Sequence, residues 1–309
     1  MSDPSAKSVL LTGAWGFIGR NVIEPLKNRG FAIHACSREA LPPEPGIVSH
    51  QVDLLDLDAT STLIHALRPT HLLHLAWRSR TDGGSGIYDA PENADWARAS
   101  VAIFHAFARA RGRRAVFAGS CVEYECGDEK LNEIATPSRA TSAYGRAKNE
   151  AREAIQRSEF AAELPTAWAR LFFTYGPYEP QGRLVSDVAR GLIAGQRIKT
   201  TSGHQVRDYL YVADVADALA ALVDRDVTGT INVGSGVGVQ VRQVVETLGI
   251  CSGRADLLEI GARAISPDEP ACIVADVRRL RAELKFAPRY SLEDGLKDTL
   301  AWWRGRANP

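Results

Sequence analysis

The sequence predicts an α/β protein with a doubly wound parallel sheet and a smaller C-terminal lobe. In the first 173 residues, short apolar runs alternate with segments of helical periodicity, the pattern of parallel βαβ units. Three glycines, Gly13, Gly16 and Gly19, separate the first apolar run from the first helical segment. From about residue 176 the alternation weakens, so we expect the later part of the chain to supply the lobe.

The elements of the first half follow in order from these patterns. Strands are expected within residues 9–12, 31–37, 47–56, 71–76, 114–118 and 167–172. Helices are expected at residues 17–29, 57–67, 90–111 and 143–160. Pro25 lies inside the first helix and is expected to kink it.

Composition and charge exclude several classes of protein. The 309 residues exceed one compact core, and 45% hydrophobic with 24% charged residues is typical of a globular protein. Lys plus Arg equals Asp plus Glu, 37 each, so neither a nucleic acid nor a membrane surface is expected as a partner. The five cysteines lack metal-ligand spacing, and no signal peptide or membrane span is visible. We expect reduced thiols, no metal and a cytoplasmic location.

The glycine triplet predicts a dinucleotide site. A helix N-terminus carries free N–H groups and a partial positive charge. Gly13 permits a tight turn, Gly16 lets a pyrophosphate approach the backbone, and Gly19 lets helix and strand pack closely. The strand before and the helix after favour this interpretation over a turn with only a packing role. The cofactor contacts predicted here are Gly13, Trp15, Gly16, Phe17 and Ile18.

A second group of residues predicts proton transfer. Tyr144 and Lys148 are four apart on a predicted helix and share a face, and Ser120 follows a strand. A phenol titrates near 10, and an adjacent ammonium lowers that pKa. Ser120, Tyr144 and Lys148 are therefore the predicted catalytic residues, with Tyr144 and Lys148 also contacting the cofactor. The alternative is a Tyr and a Lys on a solvated helix face.

The end of the second strand bears on the choice of cofactor. An acid there would bind a ribose 2′-hydroxyl and repel a 2′-phosphate. The strand instead ends in Ser37 and Arg38, with Glu39 beyond them. A hydroxyl and a guanidinium suit a phosphate, so NADP(H) is favoured and NAD(H) is the alternative.

With these motifs the chain resembles the extended short-chain dehydrogenase/reductase family of nucleotide-sugar epimerases, dehydratases and reductases. The resemblance implies a Rossmann fold and a nucleotide-sugar substrate, and it adds cofactor contacts at Asp53 and Leu54 in VDLLD and at Leu75, Ala76 and Trp77 in HLAW. It also implies a homodimer formed through the helices at 90–111 and 143–160.

The resemblance extends to the substrate site and the domain boundaries. GHQVRDYLYVADVADAL resembles the family segment whose Arg binds the substrate diphosphate, so Arg207 is the predicted anchor, with Arg183 in QGRLV as a weaker candidate. Residues 1–173, with a return segment at about 206–233, are expected to bind the dinucleotide. Residues 174–205 and 234–309 are expected to bind the substrate.

Departures from the family pattern narrow the chemistry. Family 4,6-dehydratases carry an Asp–Glu pair where this chain has Cys121 and Val122, so dehydration is not expected, and Cys121 is expected to line the substrate pocket beside Ser120. Phe173 and the segment AISPDEP also replace residues that face the sugar nucleotide in the family, so neither the base nor the sugar is predicted. The insert at residues 78–92 is either a lid or a plain surface loop.

The segments GSCVEY and RLFFTYGP most resemble reductases of nucleotide-linked 4-keto-6-deoxy sugars. The leading hypothesis is therefore an NADPH-dependent 4-ketoreductase in which hydride goes to C4 and Tyr144 protonates the oxygen. One alternative is an NAD-dependent C4 epimerase that uses the same residues. Another is a non-catalytic protein that senses dinucleotides.

Overall fold

The computed structural model describes residues 7–40, 43–77, 86–127 and 129–307. Its strands are β1 (Ser8–Thr12), β2 (Ala32–Ser37), β3 (Ile47–Gln51), β4 (His71–His74), β5 (Arg114–Ser120), β6 (Thr166–Leu171), β7 (Phe173–Tyr175), β8 (Ile198–Thr200), β9 (Val206–Tyr211), β10 (Gly229–Val233), β11 (Gly238–Gln240), β12 (Leu258–Ile260) and β13 (Cys272–Ile273). Its helices are α1 (Phe17–Lys27), α2 (Leu57–Leu67), α3 (Gly86–Asp89), α4 (Asn93–Arg109), α5 (Ala143–Gln156), α6 (Leu184–Ile193), α7 (Val212–Asp224), α8 (Val241–Ser252), α9 (Arg278–Leu284) and α10 (Leu292–Ala307).

The large sheet has the strand order β10-β6-β5-β4-β1-β2-β3 among the residues described. Strand β1 pairs in parallel with β2 and β4, and the pairs β2–β3 and β4–β5 are also parallel. The order reverses between β1 and β4, as in doubly wound folds, whose ligands bind beyond the carboxyl ends of the strands at this point. The predicted fold class is confirmed.

A core of buried apolar side chains holds helices α2, α4 and α5 against this sheet. Leu10 and Leu72 are register partners on β1 and β4, and both belong to a cluster with Phe104 and Phe107 of α4. The two phenylalanines are fully buried, and each contributes about 1.5–3 kcal/mol by its removal from water. The sequence therefore places α4 over the middle of the sheet.

The predicted helices of the first half are present, α2 with the predicted bounds and the other three with different ends. Helix α1 ends at Lys27 rather than residue 29, α4 covers Asn93–Arg109 within the predicted 90–111, and α5 ends at Gln156 rather than residue 160. Helix α1 continues through Pro25, which lies close to the end of the helix. Within the described residues, no helix is both long and apolar enough to cross a membrane.

The chain divides into two compact units. The first comprises residues 1–125, 136–170 and 216–231, and the second comprises 126–135, 171–215 and 232–309. The return to the first unit begins at Ala216, whereas the sequence places it at about residue 206. The reason is that β9 pairs with β7, β11 and β13 in a small sheet of the second unit. In the same unit, α10 packs against α6 and α8.

Candidate active site

The glycine triplet forms a tight turn between β1 and α1. Gly13 has a φ of +70°, and a Cβ there would lie 2.8 Å from the backbone nitrogen of Ala76. A Cβ on Gly19 would lie 2.1 Å from the carbonyl oxygen of Gly13, so only glycine lets helix α1 begin this close to the turn. The sequence-based steric roles of these two glycines thus correspond to specific close approaches.

The N-terminus of α1 suits an anion. Its N-cap residue is Gly16, no side chain caps it, and its first turn contains no acid. The free N–H groups and the partial positive charge of the helix therefore have no neutralising side chain within the described residues. This end of the helix fits the pyrophosphate of a dinucleotide, with Trp15 before it and Phe17 and Ile18 in its first turn.

The other predicted cofactor residues follow neighbouring strands of the sheet. Ser37 ends β2, and its hydroxyl oxygen accepts a hydrogen bond from the Glu39 N–H at 3.2 Å, while the Arg38 side chain is exposed. Asp53 follows β3, and its carboxylate accepts from the Leu55 N–H at 3.0 Å. The residues that lie just beyond the strands β3 and β4 are Asp53, Leu54, Leu75, Ala76 and Trp77.

A buried polar chain that the sequence analysis did not predict ties β1 to β4 at the reversal point. The Thr12 hydroxyl oxygen accepts from the N–H groups of Leu75 and Ala76, both at 3.2 Å, and lies 2.8 Å from His74 Nδ1. His74 Nε2 lies 2.9 Å from the Ser100 hydroxyl. Burial, reinforced by the positive charge of Lys148, lowers the pKa of His74 to about 3, so the imidazole is neutral.

The predicted catalytic residues lie at the end of β5, which is Ser120, and in the first turns of α5, which contain Tyr144 and Lys148. Ser120 is the last residue of β5, and the Lys148 ammonium donates to the carbonyl oxygen of Ala118 on the same strand at 2.7 Å. Lys148 Nζ also lies 5.8 Å from the centre of the Tyr144 ring. A Cβ on Gly145 would lie 2.5 Å from the carbonyl oxygen of Val122, so Gly145 lets α5 approach the turn that follows Ser120.

Burial brings the pKa of Lys148 close to neutral pH. Its side chain is 3% exposed. Burial lowers its pKa from 10.5 to about 7, and the negative charge of Glu123 opposes this shift. Lys148 can therefore gain or lose its proton near neutral pH.

Aromatic side chains enclose the Tyr–Lys pair. The Trp77 ring lies 3.7 Å from Lys148 Nζ and meets the Tyr144 ring edge-on at 5.9 Å. Tyr88 of α3 meets Tyr144 edge-on at the same distance. The Trp77 indole donates to the Asn93 side chain at 2.8 Å, which orients the ring. Of the insert predicted as a lid or loop, residues 78–85 lie outside the described residues, and the remainder includes α3.

The predicted substrate residues occupy different environments. Cys121 is buried in the 3₁₀ turn Cys121–Glu123 directly after Ser120. Arg207 of β9 is 2% exposed, its guanidinium pairs with Glu269, and it lies 5.6 Å from the Phe173 ring. Arg183 is exposed at the N-cap of α6. In the part of the chain that the structure describes, no cluster of three or more His, Cys, Asp or Glu side chains could hold a metal ion.

Comparison with known proteins assigns this arrangement to a family. The model of the NAD dependent epimerase/dehydratase family matches residues 9–234. The chain belongs to this family. Its members are enzymes that work with a nicotinamide dinucleotide, and the predicted family resemblance is confirmed.

Relatives of the NAD dependent epimerase/dehydratase family align over nearly the whole chain. The chain is 27% identical to a UDP-glucose 4-epimerase of Azospirillum brasilense, over 98% of this chain and 94% of that protein. It is 24% identical to a dTDP-glucose 4,6-dehydratase of Neisseria gonorrhoeae, over 98% and 97% respectively. The structure of a Thermus thermophilus UDP-glucose 4-epimerase in complex with NAD is 25% identical, with a TM-score of 0.85 over 96% of this chain and 99% of that one.

Proposed function

We propose that the protein reduces the 4-keto group of a nucleotide-linked 4-keto-6-deoxy sugar with NADPH. The observation that supports this proposal is the hydrogen bond from Lys148 to Ala118, which links the helix of Tyr144 and Lys148 to the strand that ends in Ser120, without an acid in the two positions after Ser120. Those positions are Cys121 and Val122. Hydride transfer at C4 needs only a proton donor, a charge beside it and a hydrogen bond to the oxygen, whereas dehydration needs further acid–base groups.

Each step uses a group of this chain. When bound, the nicotinamide dinucleotide supplies the hydride that C4 accepts. The Tyr144 phenol gives its proton to the oxygen at C4 as the carbonyl becomes an alcohol. The Ser120 hydroxyl donates a hydrogen bond to the same oxygen and orients it toward Tyr144. The Lys148 ammonium stabilises the phenolate that remains, and a proton from solvent restores the phenol.

The preference for NADPH rests on the end of β2. Ser37 closes the strand and the exposed Arg38 follows, so a 2′-phosphate would meet a hydroxyl and a guanidinium rather than an acid. The Thermus thermophilus relative was crystallised with NAD, which makes NADH the cofactor to test against NADPH.

The substrate diphosphate is assigned to Arg207, with Arg183 as a second candidate. The Arg207 guanidinium is buried and already pairs with the Glu269 carboxylate. A phosphate group of the substrate would offer the guanidinium two anionic oxygens, which an arginine can bind bidentately. Arg207→Lys would keep the positive charge and lose the bidentate geometry, so KM for the sugar nucleotide is expected to rise.

A C4 epimerase is the second candidate, because relatives named UDP-glucose 4-epimerase align over nearly the whole chain. Epimerisation would use the same three residues in both directions. Tyr144 would accept the proton of the C4 hydroxyl as C4 is oxidised. It would return the proton to the same oxygen when hydride comes back to the opposite face of C4, with no net consumption of cofactor.

Product analysis with purified protein separates these functions. We expect NADPH to disappear in equal amount with an added 4-keto-6-deoxy sugar nucleotide, tested with CDP, GDP, UDP and dTDP as carriers. Interconversion of UDP-glucose and UDP-galactose without net NADPH loss would identify the epimerase instead. Dinucleotide binding without turnover of any of these compounds would favour the non-catalytic sensor.

A pair of tyrosine variants links the activity to the site. Tyr144→Phe is expected to lower kcat by about 10²-fold to 10⁴-fold, the usual contribution of a positioned proton donor. Tyr290→Phe, at an exposed tyrosine of the second unit, is the matched control and should retain activity. Equal activity of both variants would remove Tyr144 from the mechanism.

We further infer a homodimer in which α4 and α5 form the contact. The inference rests on the family resemblance and on the apolar residues of these two helices. Analytical ultracentrifugation tests it, and a sedimentation coefficient of a monomer at micromolar concentration would contradict it.

A further inference from the structure

Glu123 is a buried carboxylate beside the catalytic residues that the proposed reaction does not use. Its side chain is fully buried, three residues after Ser120. Gly119 provides the space for it, because a Cβ there would lie 2.6 Å from Glu123 Oε1 and 2.3 Å from the indole nitrogen of Trp168. The Gly–Ser–x–x–Glu spacing therefore has a steric basis.

The Glu123 carboxylate and backbone connect three elements of the first unit. Oε1 accepts a hydrogen bond from the Ser120 N–H at 2.7 Å, which holds the end of β5. The Trp168 indole and the Arg170 guanidinium of β6 donate to the carboxylate, at 3.0 Å and 2.8 Å. The Glu123 carbonyl oxygen accepts from the Asn149 side chain of α5 at 2.9 Å.

The pair formed by Glu123 and Arg170 is almost completely buried, at 0% and 1% exposure of the side chains. Arg170 also donates to the Ser138 hydroxyl at 2.6 Å and stacks on the Tyr124 ring at 4.0 Å. Removing two charges from water costs about as much as their attraction returns. A buried ion pair at this position is therefore better explained by what it holds in place than by a gain in stability.

Glu123 and Lys148 both contact the Trp168 ring, whose indole nitrogen donates to the Glu123 carboxylate at 3.0 Å and whose centre lies 5.9 Å from Lys148 Nζ. Burial lowers the pKa of Lys148 to about 7, and the negative charge of Glu123 raises it. The titratable groups around the ammonium on other elements are Glu123 and the neutral His74 of β4, and Tyr144 lies on the same helix. Arg170 of β6 and Arg152, one turn along α5 from Lys148, also interact with Glu123.

We propose that Glu123 is a positioning residue of this site, which fixes the Ser120 backbone against α5 and supplies the negative charge that faces Lys148. Ser120 and Lys148 are the two groups that flank Tyr144 in the proposed reaction. The consequence for turnover rests on that proposed function, whereas the effect on Lys148 does not.

The direct test is the titration of Lys148 by ¹³C NMR of lysine-labelled protein, with Lys148→Met to assign the signal. Glu123→Gln keeps the size and the hydrogen-bonding oxygen but removes the charge, so the Lys148 midpoint should fall below that of the unmodified protein. Glu125→Gln removes a negative charge of the same kind from an exposed position two residues along the chain, so the midpoint should not move.

Kinetics provide the second reading of the same variants. With Glu123→Gln, kcat is expected to fall by roughly 10-fold to 100-fold at unchanged KM, since a displaced catalytic group costs up to about 10²-fold. Glu125→Gln should stay within about twofold of the unmodified protein. If Glu123→Gln does not fold because Arg170 loses its partner, the double variant Glu123→Gln/Arg170→Gln removes both charges. It should still lower the Lys148 midpoint, but by less than the single variant, because the positive charge of Arg170 is lost as well.

The outcomes separate this proposal from the proposed function. An unchanged Lys148 midpoint in a folded Glu123→Gln or double variant overturns the inference, even if the protein reduces a sugar nucleotide. A lowered midpoint in a protein that turns over no sugar nucleotide supports the charge effect and overturns the proposed reaction. Equal loss of kcat in Glu123→Gln and Glu125→Gln would mean that the buried position of the carboxylate does not matter and would also overturn the inference.

Discussion

Replacing Gly19 by alanine tests whether the close contact of α1 with the glycine turn creates the anion site. The added Cβ would lie 2.1 Å from the Gly13 carbonyl oxygen and 2.7 Å from the Ala14 backbone, whereas ordinary contact begins at 3.4 Å. The added carbon is therefore about 1.3 Å too close to a backbone oxygen, and no rotation of a side chain can relieve this overlap. Helix α1 must therefore move away from the turn by a comparable distance.

Two free-energy terms oppose each other in Gly19→Ala. Alanine is favoured over glycine inside a helix by about 1 kcal/mol. Forcing an extra carbon into a packed site costs about 1–3 kcal/mol. Because the added Cβ overlaps backbone atoms, we expect a cost in the upper part of that range and a net loss of stability of about 1–2 kcal/mol.

The assays are thermal unfolding by circular dichroism and titration with NADPH and NADH by fluorescence. Gly19→Ala should lower Tm by roughly 2–8 °C and weaken dinucleotide binding by at least about tenfold, since the helix N-terminus no longer meets the pyrophosphate. Gly305→Ala is the matched control, because Gly305 lies in α10 with nothing within 4 Å of an added Cβ. A Gly19→Ala protein with unchanged Tm and unchanged affinity would refute this reasoning.

Three further predictions address the neighbouring groups. Thr12→Val leaves the Ala76 N–H without its acceptor, whereas the Leu75 N–H keeps the Thr12 carbonyl oxygen. The substitution should lower the free energy of unfolding by about 1–3 kcal/mol in urea titrations, and an exposed Thr62→Val should not. The pKa of Lys148 is about 7 in the folded protein and 10.5 when the side chain is in water. Below pH 7 both states carry the charge, so the cost of burying it is fully present. Between pH 7 and pH 10.5 the folded protein has released the proton that the unfolded chain still binds, so this cost falls as the pH rises. The stability of the unmodified protein relative to Lys148→Met should therefore rise across that window, and a flat difference would contradict the assigned burial. Arg38→Ala should weaken NADPH binding by about tenfold and leave NADH binding nearly unchanged, since the variant loses only the contact between the guanidinium and the 2′-phosphate. Equal effects on both cofactors would argue against the NADPH preference.

The elements of the first unit were predictable because their signals are local. A strand such as β5 is an apolar run along the chain, and the helix α2 has the predicted bounds because its buried positions recur with the helical period. The glycine spacing and the Tyr144–Lys148 spacing are local for the same reason, since a turn and one helix face depend only on neighbouring residues. These signals also identify the family.

Other features of the site depend on residues far apart in the chain. Glu123 looks like an ordinary acid in the sequence, and only the packing of β6 against β5 brings Arg170 and Trp168 to its carboxylate. His74 becomes a neutral part of the β1–β4 junction because Thr12 and Ser100 reach it from other elements.

The sequence by itself determined the fold class and the family, and it predicted the dinucleotide turn and the catalytic set, because periodicity, steric space for glycine and helical spacing are properties of consecutive residues. Only the tertiary structure decided that β9 belongs to the small sheet, that Glu269 pairs with Arg207, and how strongly Lys148 is desolvated. Strand partners, ion pairs and burial are set by which distant segments meet, and the free energy of a buried charge depends on all of its neighbours at once.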